Sequence, residues 1–222
     1  TNISIDLIYG IPGNSEADLA EDLEKATKLG VQHISAYSLT VEPKTVFGVQ
    51  KKKGAFLEIP DSAMANAFTQ VREYLESKGY EGYETSNFAK DGNYSVHNTS
   101  YWQQEPYLGI GPSAHSFNGH SRQWNVANNA KYIAEGHLLA EKEELSPADQ
   151  LNEYLMVRLR TKWGIDLNYV RESFKKMGQI YPEKEFETWI AKGFARIEND
   201  CLLLEGEGKL IADRLSSDIF VV

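Results

Sequence analysis

The apolar residues in the first eighty positions follow two alternating patterns. Near-continuous apolar runs at residues 3–9 and 31–39 predict buried strands. A 3.6-residue apolar period, opened by Ser15 as a cap, predicts a helix before Gly30, and the same period predicts a second helix at residues 61–78. The core-facing positions of these helices are Leu19, Leu23, Ala26, Met64, Phe68, Val71 and Leu75. Repeated strand-then-helix units predict a parallel sheet with right-handed crossovers.

The elements beyond Gly79 are shorter, and their character changes along the chain. Short strands are predicted at residues 80–85, 107–110 and 122–126, and a helix at residues 98–104. From residue 146 the pattern is mostly helical, because Ser146 is a good helix cap and Pro147 suits the first helical position. Two further helices, a β-ribbon and a last helix are predicted at residues 167–177, 182–192, 193–205 and 212–219. Three helices with a ribbon predict a winged-helix-like module.

Composition and charge exclude several classes of protein. The chain has 222 residues, of which 41% are hydrophobic and 25% charged, so it can bury a core of its own. The net charge of −9 argues against binding to nucleic acid or to an anionic membrane surface. No apolar stretch approaches 18 residues, so an integral membrane protein is not expected. One cysteine cannot form a disulfide framework, and a cytoplasmic protein is expected.

Residues 94–102 concentrate polar, imidazole and aromatic side chains where a core segment would be aliphatic. If this segment is helical, His97 and Tyr101 lie on one face at positions i and i+4, and Trp102 lies beside them. Such a face offers a nitrogen ligand next to aromatic surface, which suits a flat ligand. The alternative is a buried histidine that bonds to the backbone among packed rings. Asp6 is a second candidate, because a carboxylate in an apolar strand is costly unless it is paired.

Four segments carry a family resemblance. They are residues 6–13, residues 33–43, residues 82–89 and the pattern His97-Asn98-x-x-Tyr101-Trp102. In order and spacing they resemble the oxygen-independent coproporphyrinogen III oxidase-like radical SAM proteins, and the last pattern resembles the HemW-type haem chaperone branch. The resemblance implies an α/β fold that is part of a TIM-like (partial) barrel of parallel strands with helices. The implied domains are this barrel part at 1–127, a connector at 128–145, and a small, mostly helical winged-helix-like domain at 146–222.

The resemblance also implies cofactors and the residues that contact them. Asp6, Thr40 and His115 match positions that contact S-adenosyl-L-methionine (SAM), and Gly109 and Gly111 could let backbone approach a ligand. His97 matches the haem-iron ligand, with Tyr101 and Trp102 against the macrocycle. A radical SAM [4Fe–4S] cluster needs three cysteine thiolates, and Cys201 is the single cysteine here. No cluster-ligating cysteine is therefore expected in this chain, which is expected to be the carboxy-terminal portion of a longer protein.

Three functions follow as hypotheses. The first is a haem chaperone that binds haem through His97 and delivers it to an acceptor protein, with a possible electron donor as a further partner. The second is an oxygen-independent coproporphyrinogen III oxidase, an oxidoreductase of porphyrin biosynthesis. The third is that the isolated chain is an inactive binding or structural module. The histidine and aromatic pattern favours the chaperone.

Overall fold

The computed structural model describes residues 2–136 and 140–221. Contacts within the chain divide it into two compact units, residues 1–95 and residues 96–222. The domain limits predicted from the sequence, at 127/128 and 145/146, stay a prediction. Among the described residues, no helix is long and apolar enough to cross a membrane.

The first unit is a four-stranded sheet with two long helices on one face. Its elements are β1 (Ser4–Tyr9), α1 (Glu16–Lys28), β2 (His33–Ser38), α2 (Val46–Lys52), α3 (Asp61–Ser77), β3 (Glu81–Gly82) and β4 (Asn87–Ala89). The strand order is β1-β2-β4-β3. Helix α1 begins where predicted, because Ser15 and Asp18 form a reciprocal capping box.

Side chains of β1 and β2 alternate between the side of the sheet that faces the core and the opposite side. The core of the unit includes Ile34, Phe88, Leu23 of α1 and Leu75 of α3, all of them 0–1% exposed. On β1, Ile5, Leu7 and Tyr9 pack with this core, while Ser4, Asp6 and Ile8 alternate with them on the other face. The opposite face of β2 carries the buried polar residues His33 and Ser35.

The sheet of the first unit is mixed, so the prediction of an all-parallel sheet is wrong. β1 and β2 are parallel and flank the crossover helix α1, as predicted. β4 is antiparallel to both β2 and β3. The reason is chain length: residues 83–86 join β3 to β4, and so short a link returns the chain in the opposite direction, whereas a parallel neighbour needs a long crossover.

The second unit combines an aromatic-rich region with a helical one. It contains α4 (Val96–Trp102), β5 (His115–Phe117), β6 (Ser121–Trp124), α5 (Asn129–Glu135), β7 (Glu141–Glu144), α6 (Pro147–Leu159), β8 (Ile165–Asp166), α7 (Leu167–Lys176), α8 (Glu183–Ala191), β9 (Ala195–Glu198), β10 (Cys201–Leu204) and α9 (Ala212–Asp218). One antiparallel sheet has the order β5-β6-β7 and another has the order β8-β10-β9. The core of the helical region includes Leu151, Leu155, Ile165, Val170, Trp189 and Leu202.

Two local expectations in the second unit need correction. Residues 107–110 are not a strand, because Tyr107 forms an isolated bridge with Phe117 and the next three residues leave the sheet. Gly109 does allow a close approach, but the neighbour is protein: a Cβ there would lie 2.1 Å from the carbonyl oxygen of His115. The loop is held by Asn125, whose amide nitrogen donates to the carbonyl oxygens of Gly109 and Gly111.

Candidate functional site

Helix α4 presents His97 and Tyr101 on one face, as the spacing predicts. Their ring centroids are 4.9 Å apart with the ring planes at 85°, an edge-to-face arrangement that aromatic rings favour. Both side chains are exposed, so the alternative of a buried structural histidine is wrong for His97. Trp102 is half-buried on the same helix.

A cleft of about 390 Å³ opens beside α4. This volume lies within the range of small-molecule sites, which are usually apolar with a few polar groups. Residues from α4, β5, β6 and α6 meet there. The lining residues are Asn98, Tyr101, Trp102, Gln104, Tyr107, Phe117, Arg122, Met156 and Val157.

A continuous row of rings runs from His97 into the cleft. The centroid of Tyr101 is 4.6 Å from that of Tyr107, and the Tyr107 centroid is 6.1 Å from that of Phe117. The guanidinium carbon of Arg122 lies 5.4 Å from the Phe117 centroid, within the range of a cation–π contact. The cleft therefore offers stacking surface with a cation at the end of the row.

Arg122 is held by a carboxylate. Its Nη2 donates to Oε2 of Glu153 on α6 at 2.7 Å, and both side chains are only partly exposed. Burial raises the pKa of the nearby Tyr107 hydroxyl. The charge of Arg122 lowers this pKa, whereas Tyr101 and Glu153 raise it further. Tyr107 thus remains a neutral hydroxyl within the field of the Arg122–Glu153 pair.

Three buried polar atoms near the cleft have no hydrogen-bond partner among residues 2–136 and 140–221. They are Thr99 Oγ1, Trp102 Nε1 and Arg122 Nε. A buried donor without an acceptor costs about 1–3 kcal/mol, and native proteins contain few of them. Two of the three belong to residues that line the cleft. The site therefore fits a flat ligand that brings hydrogen-bond acceptors.

The residues expected to contact SAM belong to different segments of the two units. Asp6 is in the middle of β1, opposite Ser35, and its side chain is exposed on the face away from α1 and α3. Thr40 is exposed two residues beyond the end of β2, roughly 16 Å along the chain from Ser35 at about 3.3 Å per residue. His115 is exposed on β5 in the other unit, where its ring stacks on Trp124 with centroids 5.9 Å apart. Their SAM role stays a prediction.

The first unit contains a second group of polar residues, around His33 and Glu84. His33, which is 3% exposed, contacts the Ser4 hydroxyl through Nδ1 and the Tyr83 hydroxyl through Nε2, both at 2.8 Å. Burial lowers the pKa of His33, and the charge of Asp6 opposes that shift. Glu84 is 5% exposed and accepts hydrogen bonds from the Asn87 amide at 2.7 Å and the Ser86 backbone at 2.9 Å.

An iron–sulfur cluster does not fit the residues of this chain. Cys201 is the one cysteine in the sequence and lies half-buried on β10. Within the described ranges, no group of three or more histidine, cysteine or acidic residues is placed to hold a metal ion. The cluster that the resemblance implies would need thiolates from outside these 222 residues.

Phe117 and Arg122 line the cleft, and Glu153 holds Arg122, although the sequence did not indicate these three residues. Arg122 appeared only as part of a predicted strand, and Glu153 as a helix position. No local pattern identifies them, since they approach α4 through the folding of distant segments.

Comparisons with known proteins found relatives that match nearly the whole chain in sequence. The chain is 33% identical over 217 residues to the heme chaperone HemW of Mycobacterium tuberculosis, covering 96% of this chain and 54% of that protein. It is 33% identical over 222 residues to the heme chaperone HemW of Bacillus subtilis, covering 96% of this chain and 58% of that protein. No protein-family model matches the sequence.

A solved structure shares the fold. It is the coproporphyrinogen III oxidase HemN of Escherichia coli, a radical SAM enzyme, with a TM-score of 0.71 and 18% sequence identity over 96% of this chain and 54% of that one. The mixed α/β fold is therefore one found in radical SAM coproporphyrinogen oxidases. In sequence the chain is a homologue of the HemW proteins over 96% of its length, which confirms the resemblance stated above. It spans about half the length of these relatives.

Proposed function

We propose that this chain is the haem-binding part of a radical SAM haem chaperone. The observation that carries the proposal is the placement of His97, an exposed imidazole at the start of an aromatic row that leads into a cleft with unpaired donors. Imidazole is a common axial ligand of haem iron, and aromatic rings pack well against a macrocycle. The names of the HemW relatives agree with it.

In this proposal His97 ligates the iron of the haem cargo, while Tyr101 and Trp102 contact its ring. The exposure of His97 suits a chaperone, since an acceptor protein must reach the ligand that it displaces. Haem is then delivered to an acceptor protein, and an electron donor is a possible second partner. No nucleic acid partner is proposed, and we assign the protein to the cytoplasm.

The remaining proposals concern the domains of the protein, the [4Fe–4S] cluster and SAM. We propose that β1, α1 and β2 are part of a TIM-like partial barrel and that residues 146–222 are the winged-helix-like domain. The [4Fe–4S] cluster would be held elsewhere in the protein and would supply radical chemistry with SAM. Asp6, Thr40 and His115 would contact SAM, and Asp6 offers an exposed carboxylate for hydrogen bonding.

The second candidate is an oxygen-independent coproporphyrinogen III oxidase. It is favoured by the structural likeness to the Escherichia coli enzyme. A sequence identity of 18% supports a shared fold and not a shared activity. A coproporphyrinogen oxidase would need no exposed axial ligand, so His97 distinguishes the two candidates. The third candidate, an inactive module, predicts that the isolated chain binds no porphyrin.

A haem titration followed by absorbance tests the proposal. The 222-residue chain, its His97→Ala variant and a His115→Ala control are compared, because His115 is an exposed histidine of the same unit outside the cleft. The expected result is a Soret shift in the parent chain and the control that is lost in His97→Ala. An unchanged shift in His97→Ala would contradict the proposal. Coproporphyrinogen decarboxylation by the longer, cluster-bearing protein without any haem binding would favour the oxidase.

A further inference from the structure

We propose that the cleft beside α4 binds a carboxylate of its flat ligand through Arg122 and Trp102. This inference rests on the proposed function, since haem carries carboxylates on its edge, and it assigns to Arg122 the role of a specificity-determining residue. Arg122 and Trp102 would contact the edge of the ligand, whereas His97 would bind its iron.

The first reason is the chemistry of the unpaired atoms. Trp102 Nε1 and Arg122 Nε are buried, and neither has a hydrogen-bond acceptor in the described part of the chain. Indole and guanidinium nitrogens can only donate, so the missing partner must be an acceptor. Both residues line the same cleft, so one acceptor-bearing ligand can reach the two side chains.

The second reason is the way Arg122 is positioned. Glu153 accepts a hydrogen bond from Nη2 at 2.7 Å and thereby fixes the guanidinium, while Phe117 lies against it. That contact occupies one of the five N–H groups, and Nε has no acceptor in the described part of the chain. Charge-assisted hydrogen bonds from arginine to carboxylate are stronger than neutral ones, and apolar walls strengthen them further. Met156 and Val157 form part of those walls.

The third reason concerns the charge of the ligand. Glu153 already balances Arg122, so each negative charge added to the cleft meets a nearby carboxylate. A monoanionic carboxylate is easier to accommodate there than a dianionic phosphate. The aromatic row beside the cation selects an apolar, planar body. A porphyrin with carboxylate side chains meets both requirements.

The test compares free-acid and esterified porphyrins. Dissociation constants are measured for haem, haem dimethyl ester, protoporphyrin IX and protoporphyrin IX dimethyl ester, by absorbance for the iron forms and by fluorescence for the iron-free forms. We expect the parent chain to bind each free acid about tenfold more tightly than its ester, the size of a lost charge-assisted hydrogen bond. In Arg122→Gln the acid-to-ester ratio should fall close to one.

Two variants of the pair sharpen the test. Glu153→Gln keeps an oxygen acceptor for Nη2 but removes the negative charge, so it should bind the free acids more tightly than the parent chain does. Arg122→Lys keeps a positive charge without the planar fork and should retain part of the ratio. The control is Arg196→Gln, which also separates an arginine from a glutamate, Glu205, but lies outside the cleft and should leave the ratio unchanged.

The outcomes separate this proposal from the proposed function. An undiminished acid-to-ester ratio in a folded Arg122→Gln or Arg122→Lys protein overturns it, and so does a failure of the parent chain to bind iron-free protoporphyrin IX. If His97→Ala leaves the haem spectrum unchanged while the acid-to-ester ratio still depends on Arg122, the chaperone proposal fails and the carboxylate site stands. Circular dichroism of each variant reports whether it has folded.

Discussion

Buried polar groups are arranged differently in the first unit and in the cleft beside α4. In the first unit, His33 has a partner at each ring nitrogen, and Glu84 accepts two hydrogen bonds. In the cleft, Trp102 Nε1 and Arg122 Nε have no acceptor within the described residues. Both regions are rich in aromatic and polar side chains, so composition alone does not distinguish them.

The difference separates structural polar groups from binding groups. A network in which the hydrogen bonds are formed stabilises the fold. The free energy of unfolding falls when one member of the network is removed. A buried donor left without an acceptor costs the fold about 1–3 kcal/mol, and a ligand that supplies the acceptor can recover that cost. Substitutions in the first unit should therefore act on stability, and substitutions in the cleft on binding.

The largest expected effect on stability is that of His33→Ala. The substitution removes the partner of Ser4 and one partner of Tyr83 and leaves a cavity, so the free energy of unfolding should fall by about 2–4 kcal/mol. Urea denaturation measures the change. His120→Ala, at an exposed histidine, should stay within about 0.5 kcal/mol of the parent chain. Equal losses of unfolding free energy in His33→Ala and His120→Ala would contradict a stabilising role of the hydrogen bonds of His33.

A matched pair of tyrosines tests the comparison next. The Tyr83 hydroxyl contacts His33 and accepts from the Ser95 backbone at 3.2 Å, so Tyr83→Phe should cost about 1–2 kcal/mol of unfolding free energy. Tyr107 lines the cleft, and its hydroxyl has no hydrogen bond within the described ranges. Tyr107→Phe should therefore be close to neutral for stability. A larger loss of unfolding free energy in Tyr107→Phe than in Tyr83→Phe would show that the Tyr107 hydroxyl, and not that of Tyr83, stabilises the fold.

The pH dependence of stability should report His33. Because burial lowers its pKa in the folded state, the unfolded chain binds the proton more readily, and acid favours unfolding. The contribution is present in full above the ordinary histidine pKa of about 6.5 and is lost as the pH falls below it. Urea midpoints between pH 7.5 and 5 should show this decline in the parent chain and a shallower one in His33→Ala. Parallel curves for the two proteins would count against a neutral, buried His33.

Only a small effect on stability is expected for Trp102→Phe. The loss of ring contacts is offset by removal of a buried N–H without an acceptor, so the change in unfolding free energy should stay below about 1 kcal/mol. The same variant should weaken binding of free-acid porphyrins more than binding of their esters. A strongly destabilised Trp102→Phe would show that this indole belongs to the core rather than to the site.

Much of the local structure was predictable because its causes lie close together in sequence. The capping boxes at Ser15 and Ser146 and the apolar stripe of α1 gave the correct helices. β7 was not predictable, since its sequence is Glu-Lys-Glu-Glu and it becomes a strand only by pairing with β6. The direction of β4 likewise depends on the short link from β3 and not on its own residues.

The sequence by itself determined the family resemblance, the major helices and the shared face of His97 and Tyr101, since helical periodicity acts over four residues. Only the tertiary structure decided that His33 is buried in a hydrogen-bonded network and that Trp102 lines an open cleft. It also brought Arg122 to Glu153, which lies 31 positions further along the chain. Burial and unmet hydrogen bonds depend on every neighbour of an atom, and most of those neighbours come from distant segments.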